Sequence, residues 1–383
     1  MISGFIKTAT LVKLNAPIIL LLCILANAGC SNLFYYGQAI AGQTAIMVKS
    51  RDIDHLVADT KTSGELIAQL GRIVAIRNFA VNQLGLDDGG AYRRYVDLGR
   101  EHVVWNVFAA GEFSLSPVTW CFPIAGCVGY RGYFSKDAAY RFADRIDSRG
   151  HDVFTSGVDA YSTLGWLPDP VLSSFVNYSP TELAALIFHE LAHQVVYVKD
   201  DMVFNESFAT AVEEVGVMRW LKSQGDSTTV GHHLKPLGIQ RYQRNRRYID
   251  QLTAMMLSYR SRLAEVYGES GDGDELSDEE RDSLSQRKQA ILDELYAQYL
   301  VLSADYDVQP GSERFQRSDF NNALLSSFDN YYRYVPAFKH MLESNNGDLT
   351  AFYEAVRQLA KQPRDARRLN LDLIVVAVAG DTS

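Results

Sequence analysis

The sequence predicts an α+β protein, predominantly helical, in which a small mixed sheet packs on a helical body. Three observations predict it. Apolar residues recur at helical spacing over most of the 383 residues. Runs rich in β-branched and aromatic residues are confined to residues from about 100 to 165. Hydrophobic residues make up 47% and charged ones 22%, the balance of a globular chain that can bury a large core.

The N-terminal segment stands apart from that body. Lys7 and Lys13 precede "APIILLLCILANAGC", whose apolar run of about eleven residues is too short for a spanning helix. The run ends in Ala28-Gly29 before Cys30, which reads as a signal peptide of the lipoprotein type over residues 1–29. Asn27 stands where such signals usually carry an aliphatic residue. The mature chain is then residues 30–383, lipidated at Cys30, exported, and tethered to a membrane by its N-terminal lipid. Ser31 after the cysteine points to the outer membrane, on its periplasmic face. A net charge of −9 with scattered basic residues argues against a nucleic-acid partner.

Along the mature chain, residues 31–48 and 62–83 have helical spacing, the second clearly amphipathic, and "YRRYVDLG" (92–99) reads as a short helix or turn. "HVVWNVFAAGEF" and "GYRGYF" read as strands. Ser135 caps a helix ended by Gly150, and "HDVFTSGVDAYSTLG" (151–165) returns to strand. Cys121 and Cys127, six apart, suit a disulfide in an oxidising compartment; two buried thiols are the alternative. Ser179, Pro180 and Glu182 form a capping box that starts a helix, apolar nearly all round and so buried, and "FNESFATAVEEVGVMRWLKS" makes a second one. Residues 239–267 and 277–304 read as two long helices joined by an acidic solvated loop; "NNALLSSFDNYYRYVPAFKHMLES" and "LTAFYEAVRQLAK" complete a helical region over about 239–375. The mature chain reads as a single domain, its two site helices within about 179–222.

The chemistry concentrates in "IFHELAHQVVYVKDDMVFNESFA", residues 187–209. His189 and His193, four apart, share one helix face and can point their imidazoles at one ion. Glu190 lies about 100° further round, where it flanks the ion without binding it. A catalytic zinc takes three protein ligands and keeps one position open, and Glu206 on the next helix supplies the third, so the site sits between two central helices. A Gly and a third His are absent: Val196 and Lys199 occupy their places, which excludes a three-His set. Zn2+ held there polarises a carbonyl and activates water, and Glu190 serves as the catalytic general base. The oxyanion donor is open among Tyr331, Tyr332 and Tyr334, with Asn321 and Asn322 equally open. Glu213, seven after Glu206 on the same face, can orient a ligand imidazole, or be a solvated helix carboxylate. Asp200 and Asp201 read as loop charges, and His55, His102, His151, His232, His233 and His340 show no ligand spacing. Residues 157–163 can serve as an edge strand that pairs with substrate backbone, or be ordinary sheet.

Taken together, "GCSNLFYYGQAIAGQ", "CFPIAGCVGYRGYF", "AYSTLGWLPDPVL", "LIFHELAHQVVYVKDDMVFNESFA" and "NNALL…YYRYVPAF" resemble the bacterial putative aminopeptidase family of zinc-dependent lipoproteins. The resemblance implies a gluzincin-like metallopeptidase acting on peptide substrates in the envelope, with His189, His193 and Glu206 as ligands and Glu190 as base. An exopeptidase also needs a carboxylate for the substrate's amino group; Glu182, Asp159 and Asp169 are the guesses. The rival readings are an envelope endopeptidase and a non-catalytic lipoprotein with a structural metal.

Overall fold

A computed structural model describes residues 30–122, 126–163, 166–224, 235–268, 276–306 and 315–381. Residues 1–29, expected to be a signal peptide, the Cys30 side chain, His232, His233 and most of the acidic connection lie outside the described residues. The fold is α+β and predominantly helical, with small sheets of few strands, as the sequence predicts.

The chain opens with helix α1 (Cys30–Lys49), strand β1 (Arg51–Asp52), and helices α2 (Ile53–Ala58) and α3 (Gly64–Leu84). Ser63 caps α3, and Gly85 ends it at φ 66°, a conformation that costs a Cβ-bearing residue more than glycine. Its Leu70, Ile73, Ile76, Ala80 and Leu84 are buried at helical spacing.

The segment 92–99, expected as a short helix or turn, begins in a turn at Tyr92 and holds a three-residue strand. β2 (Arg94–Val96) pairs antiparallel with β1 and parallel with β8 (Val171–Leu172), which makes this sheet mixed. Three residues carry too little local signal to specify a strand; partners about 40 and 75 residues away in sequence do so.

The second sheet has β3 (Val104–Gly111) at its centre, antiparallel to β6 (Tyr130–Tyr133) and β7 (His151–Val158). Side chains alternate along β3. Trp105 and Val107 face α4 (Lys136–Asp147) and pack with Tyr133, Ala139 and Phe142, while Val104 and Asn106 face the cleft described below. A ribbon of β4 (Trp120–Phe122) and β5 (Gly126–Val128) is bridged by a disulfide between Cys121 and Cys127.

Helices α5 (Pro180–Val195) and α6 (Met202–Ser223) form the centre of the largest core. Leu183, Ile187, Phe188 and Leu191 are fully buried, at about 1.5–3 kcal/mol per large apolar side chain. Gly216 on α6 permits this packing: a Cβ there would lie 2.8 Å from the Phe188 ring. α7 (Lys235–Gly268) and α8 (Asp278–Asp305) build a second core with α9 (Asn322–Tyr332), through Met256, Leu263, Leu292, Leu295, Leu324 and Leu325.

Residues 321–344 are two helices where the sequence reads as one. α9 stops at Tyr332, and α10 (Val335–Ser344) begins with Tyr334 as its N-cap and Pro336 in its first turn. Proline has no N–H for the Tyr332 carbonyl four residues back, and its ring would clash with that carbonyl in a continuous helix, so the run breaks between Tyr332 and Val335. α11 (Leu349–Ala360) follows as expected. α12 (Arg364–Asp381) runs past the helical region expected from the sequence.

Candidate metal centre

The centre is built from local rules on α5 and a long-range clasp on α6. Ser179 accepts from the Glu182 backbone N–H, and the Glu182 carboxylate accepts from the Ser179 N–H, with Pro180 in the first turn. Glu182 is therefore occupied in the cap and does not face the cleft. About two turns after Glu182, His189 and His193 meet edge to face on one side of the helix, with ring centroids 5.1 Å apart.

The turn into α6 is closed by Asn205, whose side chain donates to the Val198 carbonyl and accepts from the Val198 N–H, each at 2.8 Å. Asp201 precedes α6 and is buried, with Arg367 of α12 donating through Nε at 2.9 Å and Arg368 at 3.4 Å. Asp200 accepts from the Cys127 N–H at 2.6 Å. Asp201 is thus a buried structural anchor rather than a loop charge, whereas Asp200 is an exposed turn residue, as expected, that also holds the β4–β5 ribbon. A buried carboxylate needs a paired cation, and one supplied from a helix some 166 residues away leaves no local trace.

This clasp points Glu206 at the two histidines. Its Oε2 lies 3.3 Å from His189 Nε2 and 3.8 Å from His193 Nε2. One ligand atom from each of the three residues falls within 4.8 Å of the others. The opposite nitrogen of His189, Nδ1, stands 3.1 Å from Glu213 Oε2. Two imidazole nitrogens and a carboxylate oxygen, with one imidazole oriented from behind by a second carboxylate, are a donor set suited to zinc.

The electrostatics describe a site poised for a cation. Burial works against charge on His189, but the carboxylates of Glu206 and Glu213 outweigh it and hold its pKa well above the ordinary value. Burial pushes His193 down to about 4. Burial pushes Glu206 up, yet the two histidines outweigh it and leave its pKa lowered. Glu190 is pushed up to about 7, first by burial and then, against the opposing effect of His189, by Glu206 and Asp169.

The four side chains lie at the foot of a cavity of about 520 Å³. The sheet contributes Val104, Asn106, Tyr130 and Gly132 to its wall, α1 contributes Tyr35, Ala39 and Gln43, and the segment after β7 contributes Ala160, Tyr161 and Ser162. Tyr161 donates its hydroxyl to Gln43, which ties two walls together. Among the described lining residues the carboxylates are Glu190 and Glu206.

Of the three tyrosines singled out from sequence, Tyr331 lines this cavity. Burial raises its pKa well above the ordinary tyrosine value, and the nearby Glu206 and Glu190 add to it. Tyr332 borders an aromatic cavity on the far side of Tyr331, with Tyr248 and Phe328. Tyr334 is buried in the main core, its N–H donating to Ser207 at 3.1 Å. The asparagines are structural too. Asn321 caps α9, and Asn322 is fully buried with its amide spent on the Gly111 and Glu112 carbonyls.

Asp159 and Asp169 do not line the cavity. Asp159 sits 2.6 Å from His102 Nδ1 and accepts from Tyr178; Asp169 accepts from the Thr163 N–H and the Ser162 hydroxyl. Of residues 157–163, Gly157 and Val158 lie in β7, an edge of its sheet among the described residues, and these bonds turn the chain out of the strand there, so residues 159–163 are an irregular segment. Tyr130 and Tyr197 are lining residues that the sequence reading passed over. Tyr197 stands four after His193, a spacing that would have found it.

No curated protein and no solved structure matches the chain. A family model described as "Putative aminopeptidase" does, along residues 34–371. The matched span takes in the cleft from its α1 wall through both site helices to Tyr331, and the chain accordingly belongs to the putative aminopeptidase family, a family of peptide hydrolases by its description.

Proposed function

We propose that this protein is a zinc-dependent aminopeptidase of the bacterial envelope, exported and tethered at Cys30 on the periplasmic face of the outer membrane. One observation carries the catalytic part: His189, His193 and Glu206 converge at the foot of the cavity with Glu190 beside them. The location rests on the sequence of the N-terminal segment.

Zinc, when bound by those three residues, polarises the scissile carbonyl and makes water more acidic. The chain's own groups do the rest. Glu190 accepts a proton from the attacking water as its oxygen bonds to the carbonyl carbon, and returns that proton to the amine as the C–N bond breaks. Tyr331 donates a hydrogen bond to the developing oxyanion. Glu213 holds His189 in register from the Nδ1 side. The apolar walls shed water from the peptide and strengthen these interactions.

A second reading, an envelope endopeptidase, has an observation in its favour. No carboxylate beyond Glu190 and Glu206 lines the cavity among the described residues, so no spare anion stands ready for a substrate ammonium. A peptide-library digest read by mass separates the two. Stepwise N-terminal trimming that stops on acetylated peptides supports the aminopeptidase; internal cleavage of acetylated peptides supports the endopeptidase. Glu190→Gln should retain about one zinc and lose turnover. Undiminished turnover in that variant would remove the proposed base.

A further inference from the structure

α1 joins the cleft on one side only. Its inner face carries Tyr35, Ala39 and Gln43 into the cavity wall. Tyr35 lies against the Arg131 guanidinium, 4.1 Å from ring centre to Cζ, and Gln38 accepts from the Phe134 N–H at 2.9 Å. The opposite face is open. Phe34 is 79% exposed, Ile40 67%, Met47 54% and Val48 80%.

The outer face is unusual in its chemistry. From Cys30 to Val48 the helix contains no charged residue; Lys49 at its end is the first. A helix that faces water normally carries charges on its solvent side. The other helix with several large exposed apolar residues, α12, does so: Leu369 and Leu373 stand beside Arg368 and Asp372. On α1 the large exposed side chains fall within about half of the helix circumference, on the side away from the cleft. No described helix is long and apolar enough to cross a membrane. A helix with one face docked and the other apolar and open can lay that open face in the interfacial region of a bilayer, where the apolar area buried sets the strength of binding.

Its place in the chain says what covers it. α1 begins at Cys30, the residue that the signal sequence marks for lipid attachment. A lipid on Cys30, as proposed above, would hold the start of α1 within reach of the bilayer, where its exposed apolar side chains can leave water. We infer that α1 makes a second membrane contact: its outer face seats in the headgroup boundary of a bilayer, so that the cleft walled by its inner face opens beside the membrane. Substrates would then be peptide segments presented at the membrane surface. The membrane contact does not depend on the hydrolytic reading, because it is read by binding alone.

The test uses the chain from residue 30 with Cys30→Ser, which keeps every described element and removes both signal and lipid. Flotation with vesicles of phosphatidylethanolamine and phosphatidylglycerol should bring this protein to the lipid fraction. Combining Phe34→Ser, Ile40→Ser and Val48→Ser should lower partitioning at least about tenfold, since each removes apolar area from the interface. These residues do not line the cavity, so zinc content and turnover of a soluble peptide should stay at the parent level, which also verifies that the variant folds. The inference is overturned if the parent stays with the soluble fraction, or if the triple variant floats equally well. It is also overturned if sedimentation shows a parent dimer that the substitutions dissolve, for then a second copy covers the face.

Discussion

The Glu213 carboxylate stands 3.1 Å from Nδ1 of His189, while Glu206 meets the other nitrogen of the same ring at 3.3 Å. One imidazole is thus gripped from both ends, by two carboxylates two turns apart on α6. With an ion bound, the Nδ1 contact would keep the remaining ring proton on that side and present Nε2 to the ion.

Glu213 therefore acts on metal affinity through His189. Glu213→Ala should weaken zinc binding by about 10–100-fold, measured by competition with a chromogenic chelator. Added zinc should restore much of the turnover, because no reacting group has been removed. An unchanged affinity would make Glu213 an ordinary helix carboxylate.

Tyr331 separates from its neighbours by position. It lines the cavity with Glu190 and Glu206, whereas Tyr332 faces an aromatic cavity and Tyr334 the core. Tyr331→Phe should lower kcat by about 10²–10³ with zinc content unchanged, the usual loss for one oxyanion donor. Tyr332→Phe should leave kcat close to the parent value. If Tyr130→Phe gives the loss instead, the donor comes from the sheet side of the cavity.

The buried pair of Asp201 and Arg367 fixes the start of α6 and, with it, Glu206. Both side chains are buried, so removing Arg367 leaves the Asp201 carboxylate with only the longer contact to the part-exposed Arg368 at 3.4 Å. Arg367→Leu should cost about 3–5 kcal/mol of stability in urea unfolding. The double change with Asp201→Leu should recover much of that, as two apolar groups can replace a buried ion pair. Additive losses would show that the pair contributes nothing as a pair.

These cases also mark how far the sequence reaches. α5 was legible because its signals are local: Ser179, Pro180 and Glu182 specify the start, and the spacing of His189 and His193 specifies the face. The β3–β7 sheet was legible for the same reason, since long β-branched and aromatic runs state their preference alone. β2 was not, because three residues become a strand only when Arg51–Asp52 and Val171–Leu172 arrive beside them. The roles of Asp201 and Asp159 depend on Arg367 and His102, distant in sequence. Tyr331 and Tyr332 share α9 and point about 100° apart, while the helix break before Pro336 sets Tyr334 apart from both.

Asn322 offers the sharpest contrast between a structural and a chemical role. It is fully buried at the start of α9, the helix that ends in Tyr331 and Tyr332. Its amide donates to the Gly111 carbonyl at 3.1 Å and the Glu112 carbonyl at 2.9 Å, and its oxygen accepts from Tyr267 at 2.9 Å. Its backbone N–H donates to Asp152 at 2.8 Å, and Asp152 is paired with the buried Lys288 ammonium at 2.7 Å. Asn322 thus ties the end of β3 to α9 and α7 in one network. Asn322→Ala removes three hydrogen bonds, at about 1 kcal/mol each, and leaves the part-buried Tyr267 hydroxyl without its acceptor, while the Gly111 and Glu112 carbonyls keep the Ser114 N–H and the Lys288 ammonium. Stability in urea should fall by at least about 2 kcal/mol, while kcat per folded molecule, taken well below the unfolding transition, should fall far less than in Tyr331→Phe. An oxyanion donor would give the reverse pattern, with stability kept and kcat lost.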